Sequence, residues 1–383
     1  MNITEDIKYI GVSDGATDLF EGQYSIPNGI TYNSYIILDE MCAVMDSVDA
    51  AFGSEWISNL KAVLGARVPD YLIVQHMEPD HSASIIDFIR EYPTAKIVAS
   101  RAAFAMMRGF FCNDFADRQV VVTEGDTLSL GRHTLQFLTA PMVHWPEVIM
   151  TYDVTDRVLF SADGFGRFGS ACEDEPWADE ARRYYIGIVG KYGKQVEAVL
   201  KKAGALDIEI IAPLHGPVLT HDLGLYLGLY SKWASYTPEE RGVTVAYASV
   251  YGNTAKAAVA LYEELKARGE RVTLFDLARC DVHEAIASAF RFDRLVLAAP
   301  TYNADVFPAM KHYILGLVER GFTKRTVGLI ENGSWAPRAA AVMKGMLAES
   351  KDITFTEGTV KITSALNSET KAALSALADE LCK

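Results

Sequence analysis

The chain has 383 residues, half of them hydrophobic and 22% charged, which is too long for one ordinary core and apolar enough to build two or three. Its 50 acidic residues against 36 basic ones give a formal charge of -14, which argues against nucleic acid or an anionic membrane surface as a partner. The five cysteines, Cys42, Cys112, Cys172, Cys280 and Cys382, are scattered without a CxxC pair, so they read as reduced thiols and exclude a thiolate-ligated iron or zinc module.

Taken in order, Met1 to Asp6 lacks the basic-then-apolar pattern of a signal peptide, and no apolar run approaches the ~20 residues of a membrane helix, so a cytoplasmic location is expected. Ser34 to Asp39 and Cys42 to Asp46 are apolar runs split by Glu40 and Met41, a hairpin pattern. Phe52 to Leu64 has helical spacing, with Trp56, Leu60 and Leu64 on one face. A buried strand follows over Tyr71 to Val74, then a helix from Ser82 that ends near Tyr92 and Pro93. Lys96 to Ala99 is a strand, and Ser100 caps a helix running towards Gly109. Strands are expected over Gln119 to Val122, Thr127 to Leu130, Thr134 to Thr139, Val148 to Tyr152 and Val158 to Phe160. A helix over Trp177 to Ala203 and a strand over Ile208 to Ala212 come next. The polar stretch Tyr236 to Gly242 places a domain boundary, dividing the chain into 1–241 and 242–383.

Within the first part, the strand at Tyr71 to Val74 stops abruptly, and four metal-competent side chains follow: His76, Glu78, Asp80 and His81, with Pro79 stiffening the turn. His144, Asp163 and His215 share that setting, each in a loop just after a predicted strand with Pro or Gly nearby. Seven N and O donors are too many for one ion and suit two metals that share a carboxylate. Without a thiolate the set fits iron, manganese or zinc alike. The other histidines, His133, His221, His283 and His312, read as surface or satisfied structural residues with nothing ligand-like beside them.

After the boundary, strand candidates Val243 to Ser249, Arg271 to Phe275, Arg294 to Ala299, Thr326 to Ile330 and Phe355 to Val360 alternate with helical patterns, as a parallel doubly wound sheet requires. Ser249, Val250, Tyr251, Gly252, Asn253 and Thr254 lie between the first strand and its helix, where backbone N–H groups can wrap a phosphate. The loops Pro300, Thr301, Tyr302, Asn303 and Asn332, Gly333, Ser334, Trp335 occupy matching strand ends. There Tyr302 and Trp335 can flank a flat ring while Asn303, Asn332 and Gly333 offer hydrogen bonds to its edge.

The strand followed by a dense His and acid loop, then His144, Asp163 and His215, resembles the metallo-β-lactamase superfamily. Glu78 stands where that superfamily's usual HxHxDH loop has its second His, which is similar to the flavodiiron proteins. The resemblance implies an α/β and α+β two-domain chain: a metallo-β-lactamase-like αββα sandwich followed by a flavodoxin-like domain. It implies two non-haem iron ions, one on His76, Glu78 and His144, the other on Asp80, His81 and His215, bridged by Asp163. It further implies FMN, with its phosphate on Ser249, Tyr251, Gly252, Asn253 and Thr254.

The activity so implied is reduction of dioxygen to water, of nitric oxide to nitrous oxide, or of both. Electrons would come from an external donor such as rubredoxin, ferredoxin or reduced deazaflavin. The resemblance also implies a head-to-tail homodimer, or a dimer of dimers, that sets the FMN of one subunit beside the iron of the other. Two other readings stand beside it: a zinc hydrolase carrying a flavodoxin domain, which Glu78 opposes, and a gas sensor, which would need an effector domain.

Overall fold

The computed structural model describes residues 1–169 and 176–383, so Cys172 lies outside the described residues. Cys42, Cys112, Cys280 and Cys382 are all free thiols, as expected. The chain forms two compact units, one of Met1–Tyr185 and Tyr192–Ser231, the other of Ile186–Lys191 and Lys232–Lys383. Between the larger segments the compact units meet at Ser231 and Lys232. Trp233 Nε1 donates to Glu239 Oε1 (2.6 Å), Lys324 Nζ to the Ser235 carbonyl (2.8 Å) and Arg325 Nη1 to the Tyr236 carbonyl (2.8 Å), so these residues are tied to the second unit.

The first unit is built on two sheets. One orders its strands Ile7–Tyr9, Tyr35–Ile37, Ala43–Met45, Tyr71–Val74, Lys96–Ala99 and Gln119–Val121, the first two pairings antiparallel and the last three parallel. The other runs Thr127–Ser129, Thr134–Thr139, Ile149–Asp153, Val158–Phe160 and Ile210–Ala212, antiparallel until its last, parallel pair. Side chains alternate along a strand, so each sheet turns one set inward. Tyr35, Met45, Ile73 and Val98 from the first meet Leu135, Phe137, Ile149 and Phe160 from the second in one buried core. Leu72 and Val74, on the opposite face of their strand, are buried as well, so this strand is a continuous apolar run. Helix Gly53–Leu64 buries Trp56, Leu60 and Leu64 as its spacing predicts, and Trp56 Nε1 donates to Ser34 Oγ (2.9 Å).

Two helices depart from expectation. The helix predicted from Ser82 begins earlier, as a turn over Pro79–Ser82 followed by Ile85–Glu91, because proline at the first helical position loses no needed N–H. The single helix predicted over Trp177 to Ala203 is Trp177–Tyr184, a π-turn over Tyr185–Val189, a 3-10 turn over Gly190–Tyr192, and Gly193–Ala203. Gly187, Gly190 and Gly193 weaken the α-helical path there.

In the second unit, strands Val272–Asp276, Glu240–Tyr247, Phe292–Tyr302, Arg325–Asn332 and Ile353–Ile362 lie side by side, all parallel. Counted within the unit this is the order 2-1-3-4-5, whose switch point falls beside the first strand. Helices Asn253–Ala267 and Ser368–Leu381 bury Leu261, Leu265, Leu374 and Leu377 on one face with Val243, Val296 and Ile330. Each such side chain contributes about 1.5–3 kcal/mol on burial. No helix among the described residues is long and apolar enough to cross a membrane.

Candidate metal centre and nucleotide crevice

All seven expected metal-competent residues lie at the C-terminal ends of strands in the first unit. His76, Glu78, Asp80 and His81 follow Tyr71–Val74, His144 follows Thr134–Thr139, Asp163 follows Val158–Phe160, and His215 follows Ile210–Ala212. Each loop is pinned by its own backbone partners. Asp46 Oδ1 accepts from Gln75 N (2.7 Å), and Ser47 Oγ donates to the His81 carbonyl (2.7 Å). Asn33 Nδ2 donates to both the Pro213 and Gly216 carbonyls (2.8 and 2.9 Å), clamping the turn that carries His215. Gly216 has φ +80, and a Cβ there would stand 2.7 Å from Arg167 Cγ, so glycine is required.

The donors fall into two groups, His76, Glu78, His144 and Asp163 in one, Asp80, His81 and His215 in the other. Glu78 Oε2 lies 3.2 Å from His76 Nε2 and 3.0 Å from His144 Nε2. Asp80 Oδ2 lies 3.2 Å from His81 Nε2 and 3.3 Å from His215 Nε2. Asp163 joins them. Its Oδ2 is 3.3 Å from His76 Nε2 and 3.2 Å from His144 Nε2, while its Oδ1 is 3.5 Å from His81 Nε2 and 3.8 Å from His215 Nε2.

These contacts are not ordinary pairing. Asp80 Oδ1 and Oδ2 and Asp163 Oδ1 are buried without a hydrogen bond, although imidazole nitrogens stand within ion-pair distance. His81 Nε2 and His215 Nε2 face each other at 3.0 Å. Buried carboxylate oxygens left in this state are costly, and three of them among converging imidazole nitrogens are the arrangement of ligands around a cation, although Glu78 Oε2 does hydrogen-bond His76 and His144. Electrostatics agree. Burial opposes ionisation of Glu78, yet His144 and His76 bring its carboxyl down to about 2. Burial likewise disfavours the His144 imidazolium, and Asp163 and Glu78 outweigh it, raising the ring to about 9. The carboxylates thus favour positive charge on His76, His81 and His144, and a pair of cations can supply that charge instead. A cleft of about 480 Å³, walled by Glu78, Asp80, Phe20, Glu21, Tyr32 and Phe52 among others, gives small molecules access.

His133 proves buried between carboxylates, contrary to the expectation that nothing ligand-like lies beside it. Its Nδ1 is 2.9 Å from Asp153 Oδ2 and its Nε2 is 3.2 Å from Asp6 Oδ2. Both ring nitrogens are engaged, so it is a satisfied structural residue.

The second unit holds a crevice of about 290 Å³ at its switch point. It is lined by Ser249, Val250, Tyr251, Asn253, Thr254, Pro300, Thr301, Tyr302, Asn332, Gly333, Ser334 and Trp335. Gly252 takes φ +87 as the residue before helix Asn253–Ala267, whose N-terminus has no side-chain cap and is open to an anion. Asn303 does not line this crevice. Its left-handed backbone (φ 51) turns it into a neighbouring cleft with Asp305, Lys311 and His312. Ser364 does line it and was not anticipated. Asn332 Nδ2 donates to the Ser364 carbonyl (3.2 Å) and to Thr254 Oγ1 (3.4 Å), tying three loops together. The position of Ser364 after the fifth strand was the available signal.

Comparison with known proteins agrees with this division. Residues 30–216 match the ODP family beta lactamase and residues 245–360 match flavodoxin. A protein named nitric oxide reductase from Moorella thermoacetica is 30% identical over 361 residues, covering 91% of this chain and 90% of its own length. The chain spans just over half the length of the diflavin flavoproteins of Nostoc and Synechocystis that it matches. Among solved structures, rubredoxin oxygen:oxidoreductase from Desulfovibrio gigas superposes with a TM-score of 0.92 at 24% identity, covering 100% of this chain and 97% of that one. The flavodiiron protein from Giardia intestinalis superposes with a TM-score of 0.87 at 25% identity, covering 99% and 95%.

Proposed function

The chain belongs to the flavodiiron protein family, and from that premise we propose that it is an oxidoreductase carrying FMN and a non-haem di-iron site and reducing dioxygen to water, nitric oxide to nitrous oxide, or both. One observation carries the reading: Asp163 turns one carboxylate oxygen to each of two donor groups, as a bridge between two ions needs. His76, Glu78 and His144 would hold one iron, and Asp80, His81 and His215 the other. Bound together and fully reduced, FMN and the iron pair supply four electrons, which with four protons take dioxygen to two waters; two electrons and two protons take two nitric oxide molecules to nitrous oxide and water.

The chain's own residues do the holding and the screening. Four imidazoles aim Nε2 inward, and burial of His76, His81, Asp163 and His215 keeps bulk water from their ligand atoms. Glu78 in place of an imidazole adds an anion to its group, which favours higher oxidation states and weighs against the hydrolase reading. In the second unit the open N-terminus of helix Asn253–Ala267, with Ser249 and Thr254, would take the FMN phosphate, while Tyr302 and Trp335 would flank the ring. We place the functional division at 241/242, before most of the sheet that holds FMN. Electrons would come from a separate donor of the rubredoxin, ferredoxin or reduced deazaflavin type, a reading supported by five cysteines that are scattered in sequence without a CxxC pair. The subunits would pair head to tail in the cytoplasm, and an active monomer in sedimentation would overturn the pairing.

The test is anaerobic reduction of the flavin followed by separate mixing with dioxygen and with nitric oxide. Reoxidation by at least one of them at a catalytically competent rate is expected. Flavin that reoxidises no faster in the iron-loaded protein than in the iron-free protein would overturn the reading.

A further inference from the structure

Beside the metal-competent cluster lies a buried carboxylate that offers it no ligand atom. Glu147 is 2% exposed. Its Oε1 stands 2.8 Å from His76 Nδ1, the ring nitrogen facing away from the cluster, and accepts from Met77 N (2.9 Å). Its Oε2 is buried with no hydrogen-bond partner. The backbone is fixed from outside the site, since Ser100 Oγ donates to the Glu147 carbonyl (2.8 Å) and also caps helix Arg101–Phe111.

The other rings have different support. His215 Nδ1 faces the Thr31 carbonyl at 2.6 Å, a neutral acceptor, and His81 Nδ1 has no partner. Of these three imidazoles only His76 therefore has an anion behind it. A carboxylate on the far nitrogen of a ligating imidazole fixes the tautomer, orients the ring and makes the ligand more basic. The bare Oε2 sharpens the point. A buried carboxylate with one oxygen unpaired is favoured by a nearby cation, and the cluster across the ring, where Nε2 meets Glu78 and Asp163, is a place for one.

We infer that Glu147 is a positioning residue which holds His76 as the Nδ1–H tautomer with Nε2 free for metal, and sets a negative charge directly on the far ring nitrogen of His76, which His81 and His215 lack. The two ions are thereby made unequal, the one on His76 being the easier to oxidise. This rests on the two-metal reading above, and neither sequence spacing nor ligand counting indicates it.

Two variants of the full chain separate orientation from charge. In Glu147→Gln the amide oxygen can still accept from His76 and Met77, so both metals are retained, but the charge is gone. The midpoint potential of the di-iron couple, read by redox titration, is expected to rise by a tenfold change in the one-electron equilibrium, about 59 mV. In Glu147→Ala the ring loses its partner, and titration of the metal-free protein with Co²⁺ is expected to show one of two binding steps weakened by about 10–100-fold. An unchanged potential in Glu147→Gln overturns the inference, as do two wild-type Co²⁺ steps in Glu147→Ala. Should the alanine variant not fold, the isosteric glutamine variant decides alone. A wild-type chain that binds no metal pair would instead sink the two-metal reading itself.

Discussion

Replacing Asp163 by Asn keeps the side chain's volume and removes its charge and one oxygen donor. In the structure its two oxygens stand 3.2–3.8 Å from four imidazole nitrogens, and the residue is 1% exposed. Burial alone would keep this carboxyl protonated, but His76 and its neighbours hold it well below the usual carboxylate range, so the native group is an anion. An asparagine oxygen can serve one donor group and its amide repels a cation from the other. Removing one partner from a buried charge set costs about 3–5 kcal/mol, which is roughly two to four decades of affinity. The assay is iron content after anaerobic dialysis against a graded chelator, with flavin content as the internal control because FMN would sit in the other unit. Loss of at least one iron per chain at chelator levels the wild type resists is expected, with flavin unchanged. Retention of two irons at wild-type affinity would refute the bridging role.

Three further outcomes are expected. Glu78→His replaces an anion by a neutral ring, so iron retention and oxidoreductase turnover should fall while FMN binding stays intact; unchanged turnover would refute the role given to Glu78. Asn332→Ala removes two hydrogen bonds, to Ser364 and Thr254, of about 0.5–1.5 kcal/mol each. The FMN dissociation constant, followed by flavin fluorescence, should rise about tenfold or somewhat more, and an unaltered constant would remove Asn332 from the crevice's support. His133 gives a pH signature. Burial disfavours its imidazolium, but Asp153 and Asp6 on its two nitrogens, with Asp156 nearby, raise its pKa, while Arg132 bonds to the same Asp6 and Asp156. A raised folded pKa gives stability that is full below the ordinary histidine value of about 6.5 and is lost as pH climbs through the folded value. The urea midpoint of the wild type should exceed that of His133→Asn most at the acid end and least above the folded pKa; a gap that widens with pH would contradict the ion-paired reading.

Much of the site is legible in the sequence because a strand end is a local event. Tyr71–Val74 is found where its apolar run predicts, and the loops after Thr134–Thr139, Val158–Phe160 and Ile210–Ala212 carry their His or Asp at the expected places. What local pattern cannot show is which distant side chains turn inward. Glu147 and His76 are 71 residues apart, and nothing in His-Trp-Pro-Glu distinguishes a buried acid from a solvated one. The His133 cluster with Asp153 and Asp6 is hidden for the same reason. Asn303 shows the converse: its neighbours point to the crevice, but a left-handed backbone turns it away. Helix limits differ from the local pattern where proline starts a helix at Pro79 and where spaced glycines break one after Tyr184.

The most direct measurement is the metal and flavin content of the full chain produced with both iron and zinc available. Two irons and one FMN per chain are expected. Two zinc ions and no iron would contradict a di-iron oxidoreductase and favour the hydrolase reading instead.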